Sequence, residues 1–84
     1  MKEKWVIEDT AGVSAQLASK IVHVASKFES DILLHYRNKE VDVKSILGLM
    51  SLAIPDGERL EIVAKGPDAS EVIKELKTIM TRKG

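Results

Sequence analysis

The sequence predicts an α+β fold: an open-faced two-layer sandwich with a four-stranded, largely antiparallel sheet and three helices on one face. Three observations predict it. Four short segments alternate apolar and polar residues with the period of two that suits a half-buried strand. Three further stretches repeat apolar residues at helical spacing or follow a helix-capping residue. The segments run strand, helix, strand, strand, helix, strand, helix, and each has one mainly apolar face, which a single sheet–helix interface satisfies.

The first strand is read at residues 4–8, where Trp5 and Ile7 face one way and Lys4, Val6 and Glu8 the other. Asp9-Thr10-Ala11-Gly12 is a loop. Ser14 then caps a helix whose stripe is Ala18, Ile21, Val22, Ala25 and Phe28. Ile32, Leu34 and Tyr36 alternate, as do Val41 and Val43, and Arg37-Asn38-Lys39-Glu40 between them reads as the turn of a hairpin. Ser45 heads the short run Ile46-Leu47-Gly48-Leu49-Met50, a helix of roughly one and a half turns by its brevity and its Gly. After Pro55-Asp56-Gly57, Leu60, Ile62 and Ala64 alternate with Glu61, Val63 and Lys65 in a fourth strand that stops at Gly66-Pro67. The last helix begins at Asp68, with Glu71 as capping-box partner and an apolar stripe of Val72, Ile73, Leu76, Ile79 and Met80. Its C-terminal end is basic, with Lys77, Arg82 and Lys83.

With 84 residues the chain has room for one domain, residues 1–84, and a chain this short buries about 60–65% of its unfolded surface, leaving little core to line a deep active site. A binding role is expected, not an enzymatic one. Thirteen basic residues balance thirteen acidic ones, so the broad positive footprint of a nucleic-acid binder is missing. The absence of Cys excludes disulfides, thiolate metal sites and a thiol nucleophile, and fits a reducing, cytoplasmic setting. Residues 1–15 lack the layout of a signal peptide and the apolar runs are too short to span a bilayer, so no membrane association is expected.

No cofactor or metal is expected either. His23 and His35 stand without an acidic cluster at ligand spacing, and the glycines at 12, 48, 57, 66 and 84 are dispersed at turns instead of forming a phosphate-cradling loop. Two serines draw interest, Ser14 and Ser45, because a helix N-terminus offers free N–H groups and the positive end of the dipole. A Ser N-cap contributes ~1 kcal/mol with no further function. The alternative reading is phosphorylation, which adds about −1.5 to −2 charges where the dipole stabilises them. Lys44, just before Ser45, is placed to screen that charge. Leu17 and Val24 lie two turns apart on a line offset from the helix stripe. With Leu47 and Met50 they are expected to form an exposed apolar docking patch beside both serines.

Gly12-Val13-Ser14-Ala15-Gln16-Leu17-Ala18 and Lys44-Ser45-Ile46-Leu47-Gly48-Leu49-Met50-Ser51-Leu52 resemble the two hallmark segments of the HPr family, the small phosphocarriers of the bacterial phosphoenolpyruvate:sugar phosphotransferase system. Ala25-Ser26-Lys27-Phe28, the Asn38-Lys39 hairpin and the Gly57 turn extend the likeness over nearly the whole chain, and the expected element order is also that of the family. The second segment is a close copy of the regulatory serine motif. The first departs from Gly-hydrophobic-His-Ala-Arg-Pro-Ala: Ser14 stands for the phosphoryl-accepting His, Gln16 for Arg and Leu17 for Pro. A phosphoramidate on a His ring has high transfer potential and a serine ester does not, so the resemblance implies a protein without phosphocarrier activity at Ser14.

What the retained motif implies is regulation, similar to the catabolite-repression HPr proteins that lack the active His. By that resemblance Ser45 is the acceptor for HPr kinase/phosphorylase, and Leu17, Lys20, Val24, Lys44, Ile46, Leu47, Leu49 and Met50 are contact residues for that kinase and a catabolite control transcriptional regulator. Two alternatives are residual phosphotransfer through Ser14 or His23, and a module acting as a homodimer. The second would use an apolar strip of Val6, Leu33 and Val63 on the sheet face away from the helices.

Overall fold

Apolar residues at every second position drive one side of each strand out of water, and the elements follow the predicted order along the chain, with the four strands in one antiparallel sheet. The structure, a computed structural model, describes residues 1–9 and 11–81. Its elements are β1 (Lys2–Val6), α1 (Ala15–Ala25), β2 (Asp31–Tyr36), β3 (Lys39–Asp42), α2 (Ile46–Leu52), β4 (Arg59–Lys65) and α3 (Ala69–Met80). The strands lie in the order β1-β4-β2-β3, each pair antiparallel. Trp5, Ile32, Leu34, Tyr36, Leu60, Ile62 and Ala64 point to the helices. They meet Leu17, Ala18, Ile21 and Ala25 of α1, Leu49 and Leu52 of α2, and Val72, Ile73, Leu76 and Met80 of α3. Fully burying each large aliphatic side chain contributes about 1.5–3 kcal/mol, so the one-sided layer is the main support of the fold.

Several boundaries differ from expectation. β1 starts two residues earlier, and Ile7 extends the edge only through its N–H to the Glu58 carbonyl oxygen (2.9 Å) and its own carbonyl to the Gly57 N–H (2.9 Å). The β2–β3 turn is two residues, Arg37-Asn38, because Tyr36 pairs with Lys39. Arg37 takes φ 57°, a left-handed conformation, and is held there by its surroundings. Its Nη2 donates to Glu58 Oε1 (3.2 Å), its Nε to the Tyr36 hydroxyl (3.1 Å), and that hydroxyl to Glu58 Oε1 (2.9 Å). The Tyr36 and Arg37 hydrogen bonds hold the Glu58 carboxyl below its ordinary range, and Glu58, then Tyr36, raises the Arg37 guanidinium. Phe28 lies beyond the end of α1 and is half-buried against the core. α2 has seven residues, nearer two turns than one and a half.

The expected capping box of α3 does not form. Asp68 occupies the N-cap position, yet its side chain makes no cap bond. Its carboxylate accepts instead from the Glu29 N–H (2.9 Å), the Ser30 N–H (3.0 Å) and the Ser30 hydroxyl, tying α3 to the segment before β2. Those bonds, the Ser30 hydroxyl first and the Glu29 N–H next, hold the Asp68 carboxyl below the usual aspartate range. Thr10, Arg82 and Lys83 lie outside the described residues.

The register also corrects the apolar strip. Val63 and Leu33 are direct cross-strand neighbours, but Val6 pairs with Arg59, four residues along β4 from Val63. The open face therefore carries an apolar pair and a separate valine, with the charged Glu61 row between them.

Candidate functional site

Two of the helices begin at a serine, and the two starts are built differently. At α1, Ser14 has extended backbone (φ −80°, ψ 176°), its carbonyl accepts from the Ala18 N–H at 2.8 Å, and its Oγ accepts from the Leu17 N–H at 3.5 Å. That last bond is long for an N–H donor. The segment before it is clamped: the Val13 N–H donates to the Ile54 carbonyl (2.8 Å), and Gly12 sits at φ 65° so close to the Ile54–Pro55 backbone that a Cβ would lie 2.3 Å from the Ile54 oxygen. Only glycine fits. Val13, Leu17 and Ala18 are buried, Ser14 is half-buried, and Gln16 is exposed.

At α2, Ser45 is exposed and its Oγ accepts from the Gly48 N–H at 3.1 Å. Its own N–H donates to the Asp42 carbonyl (3.0 Å), and the Asp42 carboxylate accepts from the Lys44 N–H (2.8 Å), an Asx turn that aims the chain into the helix. Gly48 leaves room for the hydroxyl, since a Cβ there would stand 3.2 Å from Ser45 Oγ and 3.3 Å from the Val41 Cβ. Lys44 Nζ donates to the Phe28 carbonyl oxygen (2.9 Å), joining the end of α1 to the start of α2. Ile46, Leu47 and Met50 are exposed by 37%, 77% and 42%, an apolar trio on the helix that Ser45 caps.

The expected docking patch is thus partly redrawn. Leu17 and Leu49 are core residues, 3% and 0% exposed, and a partner meeting the folded surface does not reach them. Val24 is half-buried against the core, Lys20 is exposed, and Lys44 is half-buried. His23 is exposed in the last turn of α1, about 13 Å along the axis from Ser14 at ~1.5 Å per residue, so the structure does not bring the two together. Sequence reasoning missed the Lys44–Phe28 tether, which no local pattern signals, and the Asp42 turn, which the Asp-x-Lys spacing before a Ser cap does signal. No group of three or more His, Cys, Asp or Glu among the described residues is arranged to hold a metal, and no helix among them is long and apolar enough to cross a membrane. What the α2 start can do chemically is accept a phosphate: an accessible hydroxyl lies beside first-turn N–H groups that bind anions.

Residues 1–82 match the protein family described as PTS HPr component phosphorylation site. Among solved structures, the chain is similar to a histidine-containing phosphocarrier protein of Mycoplasma at 36% identity, covering 95% of this chain and 91% of that one, with a TM-score of 0.89. It is also similar to the phosphocarrier protein HPr of Bacillus anthracis, at 32% identity over 96% of each chain and a TM-score of 0.93. The third is Crh, the catabolite repression protein of Bacillus subtilis, solved as a dimer with a swapped domain. It is 35% identical, with 93% of this chain and 90% of that one covered and a TM-score of 0.77.

Proposed function

The chain belongs to the HPr family of the phosphotransferase system, whose phosphocarrier proteins are not enzymes, and from that membership we propose that it is a regulatory protein switched by phosphorylation of Ser45. The observation that carries this reading is that Ser45 is exposed at the start of α2, with Ile46, Leu47 and Met50 exposed on the same helix. A phosphate on that oxygen gains the first-turn N–H groups and the positive end of the helix, so the modification adds charge to the surface without opening the fold. The apolar trio then supplies a contact surface whose neighbourhood is neutral in one state and anionic in the other.

The same reading denies a phosphocarrier role to Ser14. A half-buried serine holds a phosphoryl group only as a stable ester, and Gln16 presents no guanidinium to pair with it. The resemblance to catabolite-repression proteins supports HPr kinase/phosphorylase as the modifying enzyme, a catabolite control transcriptional regulator as the reader, and a cytoplasmic setting. Intact mass measured after incubation with HPr kinase/phosphorylase and ATP tests it, in parallel with phosphoenolpyruvate and enzyme I. One phosphate from ATP, absent in Ser45→Ala, is expected, with none from phosphoenolpyruvate. No phosphate from ATP, or label from phosphoenolpyruvate retained on Ser14, overturns it.

A further inference from the structure

The sheet face away from the helices carries a charge pattern that the Ser45 site does not use. The register sets its outward side chains in rows across the strands. One row reads Lys2, Val63, Leu33, Asp42 from β1 to β3, and the next reads Lys4, Glu61, His35, Glu40. Beyond them Lys65 pairs with Asp31. The β1 edge is therefore cationic and the β3 edge anionic, with an apolar pair between them. Among the described residues neither Lys2 nor Lys4 forms an ion pair, and Asp42 has no cationic partner. His35 Nε2 lies 2.8 Å from Glu40 Oε2 and its Nδ1 3.8 Å from Glu61 Oε1, so two carboxylates flank the imidazole in this row. Met1, Lys2, Leu33, His35, Glu61 and Val63 line a shallow open depression of about 560 Å³.

We propose that this open sheet face is a self-complementary docking surface for a second copy of the chain. A two-fold axis running along the strands, between β4 and β2, lays β1 over the partner's β3 and β4 over the partner's β2 while keeping each row opposite itself. Lys2 then meets the partner's Asp42, Lys4 the partner's Glu40, Val63 the partner's Leu33, Glu61 the partner's His35, and Lys65 the partner's Asp31. Each contact occurs twice. Only the last rung sets like charges together, Arg59 toward the partner's Arg37, and within its own chain Arg37 is already paired with Glu58. Four strands at ~4.8 Å spacing and the seven residues of β4 at ~3.4 Å give a face about 19 by 23 Å, and two such faces bury on the order of 1,000 Å². That area is at the lower limit for specific association, so the dimer is weak and depends on its charges.

Sedimentation equilibrium of the full chain from about 10 µM to 1 mM at low and high salt tests the proposal, using Lys4→Glu, Glu40→Lys and the double variant. A salt-sensitive dimer is expected, weakened at least ~10-fold by either single reversal and returned to within about 3-fold of the original by the double. Lys4 and Glu40 lie on opposite edges of one sheet, three strands apart, so mutual rescue requires contact between copies. Circular dichroism of each variant separates loss of folding from loss of association. A monomer throughout the range overturns the proposal, as does a dimer indifferent to both single reversals, which would point to strand exchange.

Discussion

The starts of α1 and α2 use the same device, a serine with extended backbone whose Oγ accepts an N–H from the third residue on, yet they face opposite demands. Around Ser14 the chain is locked inward by Gly12 against Ile54, with Val13, Leu17 and Ala18 in the core and a cap bond stretched to 3.5 Å. Around Ser45 the cap bond is 3.1 Å and the next apolar residues point outward. Ser14 is thus half-buried in a packed joint, whereas Ser45 is exposed at the start of its helix. Accessibility, more than residue identity, distinguishes the two caps.

The contrast within α2 gives the largest expected effect. Leu49 is fully buried and Leu47 is 77% exposed, two residues apart on one short helix. Leu49→Ala is expected to cost about 2–5 kcal/mol in urea unfolding, and Leu47→Ala to stay within about 0.5 kcal/mol. The ranking reverses for recognition: Leu47→Ala, still folded, is expected to slow phosphorylation of Ser45 in a kinase assay. Equal stability losses would mean that α2 does not divide into a core side and a docking side.

These two leucines also mark where the sequence stops being legible. Strand faces were readable because a period of two leaves no ambiguity once Trp5, Ile32 and Leu60 are assigned inward. A seven-residue helix with a central Gly completes only two turns, too few to fix the phase of Ile46, Leu47, Leu49 and Met50, so Leu49 stood with the other three as a contact residue implied by the resemblance although it is buried. Leu17 misled for a related reason: it lies off the stripe of α1, yet it is 3% exposed and belongs to the core cluster, a burial that the local pattern does not signal. Register is also nonlocal, which is why Val6 seemed to extend the Leu33–Val63 pair. The serine site was legible as a motif, whereas the inward packing around Ser14 was legible only in three dimensions.

α3 sharpens the comparison, because its N-cap residue does not cap. Asp68 is committed to the segment before β2, where Ser30 is buried with 1% exposure. Asp68→Asn replaces an acceptor with a donor facing N–H groups and is expected to lower Tm by more than the loss of either serine cap. The sign with pH follows from the lowered carboxyl. The native state favours the charged form, so the full contribution is present above the ordinary aspartate value near 4 and is lost as pH falls through the lower folded value. The Tm gap between the parent protein and Asp68→Asn should be constant from about pH 7 to 5 and narrow as pH falls below the ordinary aspartate value near 4. A gap independent of pH would show that the amide acts by shape and not by charge.

The smallest effects test the comparison most directly. Ser45→Ala is expected to cost ~1 kcal/mol, the usual worth of a well-formed N-cap bond, and Ser14→Ala only a few tenths, because its 3.5 Å bond is near the limit of an N–H···O interaction. Chemical denaturation resolves the two if the midpoints are compared at equal slope. Should Ser14→Ala prove as costly as Ser45→Ala, the α1 start would depend on its hydroxyl and not on the Gly12 and Val13 clamp. Gly12→Ala separates the alternatives, since φ 65° and the Ile54 oxygen in its path both oppose a side chain there. A large loss in Gly12→Ala with a small loss in Ser14→Ala means that backbone packing holds this helix start and the serine hydroxyl adds little to it.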